Sequence, residues 1–264
     1  MNLDEALAEI AQIIPELPMD PLQADHTPEA IARRLQAAGH HSYLSDLVLG
    51  AIDGTVTTFA IVAGVAGADL PQHVAIILGC ANILADGFSM AASNFLSTQA
   101  QRHLVEQVRE NEARHIDTVP EGEREEIRQI FAAKGFEGDV LDRIVEVITH
   151  NRQQWIDTMV TDEHGLQLSG PSPWRAAGAT FLAFLLAGFV PLFPFFLPIT
   201  RQGNTIFLWS TVATMITFFL IGVAKGRALE RSLLRSGLET LAVGGAAAFL
   251  AYGAGAGLHA MLGQ

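Results

Sequence analysis

Three aspartates lie in apolar stretches of the chain that are long enough to cross a membrane. Asp46 stands at the start of the stretch 46–68, where water can reach it, and Asp53 lies about two helical turns further in. Asp86 lies within the next apolar stretch. An ionisable group at such a depth costs on the order of a few kcal/mol or more, and it therefore indicates a functional site. Because burial favours the neutral form of a carboxylate, a cation and a proton can compete for Asp53.

A thioether accompanies these carboxylates. Met90 follows Asp86 by four residues, so the two share a helix face, and Asp53 on the preceding span could face both. Carboxylate oxygen combined with thioether sulfur suits a borderline-soft divalent ion such as Fe²⁺ better than Mg²⁺ or Ca²⁺. This ligand set is incomplete, and a two-fold partner or backbone carbonyls could complete it. Asn82 and Asn94 lie one turn to either side. Core packing for the methionine and a structural hydrogen bond for Asp86 are the alternatives.

A second group of candidate ligands lies in the polar stretch 99–173. Fifteen acidic and eight basic residues occur between residues 99 and 170. Pairs spaced three or four residues apart can each present two ligands on one helix face. The pairs are Glu112 with His115, Glu123 with Glu126, and Met159 with Glu163. The spacing of Glu-x-x-His is typical of di-iron carboxylate bundles.

Two further stripes compete for the same role, and the residue pattern does not choose among them. They are His103, Glu106 and Glu110, and Asp142, Glu146 and His150. Any one of these pairs taken alone has the alternative interpretation of a solvated acidic helix face.

The elements that must position these residues are helices. Five apolar segments have roughly the 20 residues that a hydrocarbon core of about 30 Å requires. They are residues 46–68, 73–98, 174–199, 204–224 and 237–262. The third should kink or unwind near its end, because it contains Pro191, Pro194 and Pro198. The pattern predicts an all-α membrane protein with five transmembrane helices and a cytoplasmic three-helix metal-binding insert between spans two and three.

The basic residues predict the orientation in the membrane. In this arrangement fifteen of the sixteen Lys and Arg residues fall on one side, and Arg201 is the exception. The positive-inside rule then places the N-terminus in the cytoplasm and the C-terminus outside.

The chain divides into four predicted regions. They are an N-terminal cytoplasmic extension (1–41), transmembrane helices 1 and 2 (42–98), the insert (99–173) and transmembrane helices 3 to 5 (174–264). In the insert, one helix continues from span two to about Ile116, and two others are expected over 121–134 and 139–163. The extension should contain helices over 3–14 and from the N-cap Thr27 to Gly39. The insert is too small to bury a large core alone, which favours docking on a second copy.

Composition excludes several classes of function. A net charge of -12 argues against a nucleic-acid partner, and it suits cations. Half of the residues are hydrophobic and 17% are charged, as in a membrane protein with a polar part. The single Cys80 excludes an intramolecular disulfide and a cysteine-only zinc site.

Several motifs resemble those of the vacuolar iron transporter family. They are Asp46-Leu-Val-Leu-Gly-Ala-Ile-Asp53-Gly, Ala85-Asp-Gly-Phe-Ser-Met90, Gln101-Arg102, Trp155-Ile-Asp-Thr-Met159 and Glu163-His-Gly-Leu. The similarity covers about residues 42–262. It implies a five-span homodimer with a metal-binding insert and no prosthetic group. It also implies that Fe²⁺, often with Mn²⁺, leaves the cytoplasm in exchange for protons.

The resemblance also implies which residues bind metal. The translocation residues fall on Asp53 and Met90, with Asp46 and Asp86 nearby. The insert ligands fall on Glu112, His115, Glu123, Glu126, Met159 and Glu163. Two positions depart from the family pattern, because His115 stands where Glu is expected and Val160 where a second Met can occur. Imidazole still binds Fe²⁺, Mn²⁺ or Zn²⁺, but it makes the insert less anionic and more sensitive to pH.

Three functions remain open at this point. The first is a divalent metal/proton antiporter whose partners are metal ions, protons, the lipid bilayer and a second copy. The second is a membrane-tethered di-iron ferroxidase that uses the insert. The third is a metal sensor, which the intramembrane carboxylates disfavour. The compact loops favour a bacterial inner membrane, and a vacuolar membrane is expected if the source is eukaryotic.

Overall fold

The computed structural model describes residues 25–37, 41–197 and 203–262, and all regular secondary structure in these ranges is helical. The chain forms two compact units, residues 1–41 and 42–264. The elements in chain order are α1 Pro28–Ala37, α2 Leu44–Gly67, α3 Gln72–Thr118, α4 Pro120–Ala133, α5 Gly138–His150, α6 Arg152–Thr158, a π-helical turn Met159–Glu163, α7 Pro173–Phe189, a 3₁₀ turn Phe193–Phe196, α8 Gly203–Ala228 and α9 Leu233–Leu262.

The first unit contains α1, which begins as the sequence predicts. The amide of Ala30 donates to Thr27 Oγ1 at 3.3 Å, which makes Thr27 an N-cap, and Glu29 lies in the first turn. The predicted helix over 3–14 and the predicted stop at Gly39 lie outside the described residues.

Within the described ranges, four helices are long and apolar enough to cross a membrane, namely α2, α3, α8 and α9. The third predicted span, 174–199, is shorter than expected. Its helix α7 has 17 residues and ends at Phe189, and a turn and the short 3₁₀ segment follow. The physical reason is the prolines that follow, since Pro191 and Pro194 lack the amide hydrogen that a continuing helix requires.

Helix α2 lies at the centre of the apolar bundle and packs against α3, α7, α8 and α9. Its contact with α7 is close because glycine leaves room for a neighbouring backbone. A methyl group added at Gly54 would lie 2.5 Å from the carbonyl oxygen of Phe184 on α7. Such contacts between small residues let membrane helices approach each other closely. The helix that carries Asp46 and Asp53 is therefore packed among other helices, and both residues are partly buried.

The insert continues directly from α3, which runs unbroken from the second apolar stretch to Thr118. Helices α4, α5 and α6 follow, and their apolar faces enclose a core with α3. The core includes Ile116, Ile127, Leu141, Val145, Ile148, Trp155, Ile156, Met159 and Val160.

The third insert helix, predicted as one helix over 139–163, is divided into three pieces. Asn151 has extended backbone angles (φ −108°, ψ 110°), so the α-helix ends before it. The Asn151 side chain then caps α6, accepting from the amides of Gln153 at 3.0 Å and Gln154 at 3.2 Å. The π-helical turn after Thr158 makes the second division.

Substituting Gly54 with alanine should destabilise the bundle, because the added methyl group would overlap the backbone of α7. We expect Gly54→Ala to lower the free energy of unfolding by about 1–3 kcal/mol, the usual cost of overpacking. Thermal unfolding of the detergent-solubilised protein measures this loss.

Gly178→Ala on α7 is the matched control, because no atom lies within 4 Å of the added methyl group. This control should be neutral or slightly stabilising, since alanine is the better helix former. Equal stability of the two variants would contradict the close packing of α2 on α7.

Candidate metal-binding sites

Two glutamates of the insert are buried although carboxylates normally face water. Glu112 on α3 and Glu123 on α4 are each only 3% exposed. In each of them the oxygen Oε2 is buried without a hydrogen-bond partner. Burying a charge is costly unless it is paired or coordinates a metal, so these oxygens are the strongest indication of a cation site.

An imidazole lies beside both buried carboxylates. His115 Nδ1 is 3.4 Å from Glu123 Oε1 and 4.0 Å from Glu112 Oε1. These three residues each offer a ligand atom, and the atoms lie within 4.8 Å of one another. This first group contains three of the six insert residues that the sequence predicted.

A second group of three candidate ligands consists of Glu112, Glu163 and His164, so the two groups share Glu112. His164 Nε2 is 3.0 Å from Glu112 Oε1 and 3.6 Å from Glu163 Oε2. Reasoning from the sequence did not select His164 as a ligand, because Gly165 after it marks it as a helix end. The sequence did contain one indication of this role, because His164 directly follows the predicted ligand Glu163.

The π-helical turn places Glu163 and His164 beside Glu112. The amide of His164 donates to the carbonyl of Met159 at 3.2 Å, the i→i+5 bond that defines a turn wider than an α-helical one. Single π-helical turns occur frequently at functional sites. Gly165 follows in the left-handed region (φ +64°) and ends the helix.

The other two predicted insert ligands lie in different surroundings. Met159 is fully buried in the hydrophobic core of the insert. Glu126 is exposed, but its charge acts on Glu123 and Glu163. Their roles as ligands stay predictions.

The electrostatics of the cluster favour proton or cation uptake. Burial, together with the charges of Glu126, Glu112 and Glu163, raises the pKa of Glu123 to about 7. Burial also raises the pKa of Glu163, and His164 partly offsets this effect. A divalent cation would relieve the same repulsion that these protons relieve.

The two alternative sets of candidate ligands, one beginning at His103 and one at Asp142, lie outside the groups around Glu112. Asp142 and Glu146 are exposed and pair with Arg128 and Arg143, each at 2.5 Å. His103 and Glu106 line a cavity of about 980 Å³ between α3 and residues 165–174. Among the described residues, groups of three acidic or histidine ligands occur only around Glu112.

In the bundle, Asn94 joins three helices, and one of its partners is Asp46. Asn94 Nδ2 on α3 lies 2.8 Å from Asp46 Oδ1 on α2 and 2.8 Å from Thr180 Oγ1 on α7. The second oxygen of this carboxylate, Oδ2, is buried without a hydrogen-bond partner. Asn94, which the sequence indicated as a polar candidate, therefore orients Asp46.

Asp53 lies deeper on the same helix and is partly buried. Its carboxylate is close enough to Asp86 on α3 for the two charges to repel each other. Between these helices Asn82 Nδ2 donates to Thr57 Oγ1 at 3.3 Å, and Thr57 in turn donates to the backbone carbonyl of Asp53. Met90, one turn after Asp86, is also partly buried. The two aspartates thus lie on helices that pack against each other, and the charge of Asp86 acts on Asp53.

A family model described as the VIT family matches residues 44–256 of the chain, which includes both groups of candidate ligands. This chain belongs to the VIT family. The vacuolar iron transporter of Toxoplasma gondii is 30% identical to it over 229 residues, 84% of this chain and 76% of that protein. Vacuolar iron transporter 1 of Arabidopsis thaliana is 31% identical over 210 residues, 78% of this chain and 82% of that protein. Vacuolar iron transporter 1 of Tulipa gesneriana is 31% identical over 211 residues, with 78% and 83% covered.

Membership of the VIT family confirms the resemblance that the motifs indicated. Together with the apolar helices, it identifies the chain as a multi-pass integral membrane protein. The family and its named relatives indicate a transporter and not an enzyme, and nothing in them supports the ferroxidase alternative.

The raised pKa of Glu123 predicts how the stability of this VIT-family protein depends on pH. In the absence of metal, the folded protein holds a proton on Glu123 that the unfolded chain releases above pH 4.5. Stability present below pH 4.5 is therefore lost as the pH rises through about 7. The loss should amount to about 3 kcal/mol at most. Thermal unfolding of the metal-free protein, followed by tryptophan fluorescence between pH 4.5 and 8, measures it.

The variant Glu123→Gln should flatten this pH dependence, because an amide does not titrate. Glu121→Gln, which changes a 90% exposed side chain on the same helix, should leave it unchanged. An identical slope in Glu123→Gln and the unmodified protein would show that the buried carboxylate is not the group responsible.

Proposed function

We propose that this protein carries Fe²⁺ out of the cytoplasm in exchange for protons, and that it also accepts Mn²⁺. The observation that carries the proposal is that Asp53 and Asp86 both lie partly buried on two membrane-length helices, α2 and α3, which pack against each other. A protein has no structural need for two repelling carboxylates at this depth. The names of the relatives, vacuolar iron transporters, support iron as the transported metal.

The membrane site would be formed by Asp53 and Met90, with Asp86 beside them and Asp46 at the entrance. Carboxylate and thioether ligands together suit Fe²⁺. Asp46 keeps a buried oxygen without a hydrogen-bond partner, and this oxygen is available to an entering cation. One chain supplies few ligands here, so we propose a homodimer in which a second copy completes the site.

Exchange follows from competition for one group. A buried carboxylate is stable either with a proton or with a bound cation, and it is unstable as a bare anion. Metal arriving at Asp53 would displace a proton, and a proton arriving from the other side would displace the metal. The ions therefore move in opposite directions.

The acidic insert would collect metal before transport. Its net negative charge raises the local concentration of cations, and the buried oxygens of Glu112 and Glu123 offer binding positions. The distribution of basic residues supports a cytoplasmic insert, an N-terminus in the cytoplasm and a C-terminus outside. The same arrangement requires five spans, in which α7 crosses as a short span with the turn that follows it.

The membrane of residence is also part of the proposal. The compact connections favour the inner membrane of a bacterium, and in a eukaryotic source the vacuolar membrane would take its place. The insert faces the cytoplasm in either case.

Removing the charge of Asp53 should abolish transport and leave metal binding by the insert intact. An amide is a weak ligand for Fe²⁺ and does not exchange protons, so Asp53→Asn should reduce Fe²⁺ uptake into proteoliposomes to the level of empty liposomes. Uptake with a metal-sensitive dye inside the vesicles measures the rate.

Asp69→Asn is the matched control for this experiment. Asp69 is exposed in the turn after α2 with φ +52°, a conformation that asparagine tolerates well. It should transport like the unmodified protein. Normal uptake by Asp53→Asn would refute the proposed site, whereas failure of both variants would indicate a general loss of folding.

A further inference from the structure

A cavity of about 980 Å³ lies between α3 and the segment 165–174, which returns from the insert to α7. Ligand pockets in proteins commonly have volumes of about 300–1,000 Å³, so this space can hold a small molecule or a headgroup. The candidate metal ligands Glu112, Glu123 and Glu163 lie outside its lining. The cavity is therefore separate from the metal cluster of the insert.

The cavity lies where two helices leave the apolar part of the protein. The apolar stretch of α3 ends at Thr98, and residues of α3 between Phe95 and Arg109 line the cavity. Helix α7 begins at Pro173, and the rings of Phe95 and Trp174 pack with centroids 4.7 Å apart. Trp174 is 78% exposed, and such tryptophans are enriched where hydrocarbon meets the headgroups. The cavity therefore opens at the membrane surface.

The lining of the cavity is basic, although acidic residues outnumber basic ones in the insert. Arg102, His103 and Arg109 line it, and Glu106 is the one carboxylate among its described lining residues. Arg102 is exposed, and within the described ranges it has no carboxylate partner. Its positive charge is thus available to an anion.

The two arginines lie close to the returning segment and to the insert. A methyl group added at Gly170 would lie 3.8 Å from the Cγ of Arg102, so this side chain passes beside the segment. Arg109 forms an ion pair with Asp157, but its Nε is buried without a hydrogen-bond partner. Guanidinium groups present several N–H donors in a planar fork that matches the oxygens of a phosphate group.

Exposed apolar side chains adjoin the basic ones. Leu104 and Leu168 line the cavity, and Leu96 is exposed on α3 about two turns before Arg102. A free phosphate ion gains nothing from such a surface, whereas a phospholipid presents acyl chains next to its phosphate. Basic pockets between transmembrane helices typically bind anionic headgroups.

We propose that this cavity binds the headgroup of an anionic phospholipid from the leaflet that the insert faces. Arg102 contacts the phosphate, and Trp174 and Leu96 contact the acyl chains. The bound lipid ties α3 to the segment that returns to α7, and so it holds the insert against the membrane. The proposal does not rest on which ion is transported or in which direction.

Lipid binding to the full-length protein tests the proposal. Native mass spectrometry of the delipidated protein in detergent counts bound phosphatidylglycerol, with phosphatidylcholine as the neutral comparison. The unmodified protein should bind phosphatidylglycerol saturably and in preference to phosphatidylcholine. Arg102→Gln should weaken this binding about tenfold, because a hydrogen bond between charged groups is lost. Arg102→Lys should retain most of the affinity, since an ammonium group also binds phosphate.

Two further variants separate the cavity from charge in general. Arg231→Gln removes an exposed arginine in the turn between α8 and α9, outside the cavity, and it should bind phosphatidylglycerol like the unmodified protein. Ser169→Trp leaves the charge unchanged and fills the cavity from its exposed rim. This variant should weaken binding as Arg102→Gln does.

Three results would overturn the proposal. Equal affinities of the unmodified protein, Arg102→Gln and Ser169→Trp for phosphatidylglycerol would show that the lipid does not occupy this cavity. Displacement of phosphatidylglycerol by an equal concentration of inorganic phosphate would identify a site for the free ion. A changed dimer fraction in Arg102→Gln with unchanged lipid binding would identify a contact with a second copy.

Discussion

The energetic cost of burying carboxylates is the constraint on which the rest of the structure depends. In the bundle this cost is met by surrounding α2 with other helices, so that Asn94 on α3 donates to Asp46 and also to Thr180 on α7. The close packing of Gly50 and Gly54 on α7 brings the backbones together, which sets Thr180 within reach of Asn94. One oxygen of the Asp46 carboxylate, Oδ2, remains without a hydrogen-bond partner.

The same constraint operates in the insert, where the protein stabilises acidic groups only partly. Glu112 and Glu123 are buried against an apolar core, and neighbouring carboxylates repel the charge of Glu123. Without a metal ion, Glu123 therefore holds a proton more readily than an exposed glutamate does. One continuous helix links this cluster to the membrane site, because α3 carries Asp86 and Met90 at one end and Glu112 and His115 at the other. The 22 residues from Met90 to Glu112 correspond to about 33 Å of helix. In the proposed function, an ion collected in the insert has to leave its ligands before it reaches Asp53.

Much of this arrangement could be predicted from the sequence, because apolar length and residue spacing report local physics. The spans α2, α3, α8 and α9 follow from apolar runs, and the Glu112–His115 pair follows from helical periodicity. The break at Asn151 has a local signal, because asparagine is a favoured N-cap. The π-helical turn and the position of His164 beside Glu112 could not be predicted in this way. They depend on how the last part of the insert packs against α3, which no local pattern encodes. The early end of α7 was foreseeable from its prolines, although its exact residue was not.

Proton movement during metal transport tests the central claim most directly, since one carboxylate is held to carry both ions in turn. The measurement uses proteoliposomes that contain a pH-sensitive dye, with Fe²⁺ added outside under anaerobic conditions. The account predicts that the lumen becomes more alkaline in step with Fe²⁺ entry, and that a lumen made acidic beforehand accelerates this entry. Fe²⁺ entry without any change in luminal pH, and at a rate independent of the imposed gradient, would contradict the account.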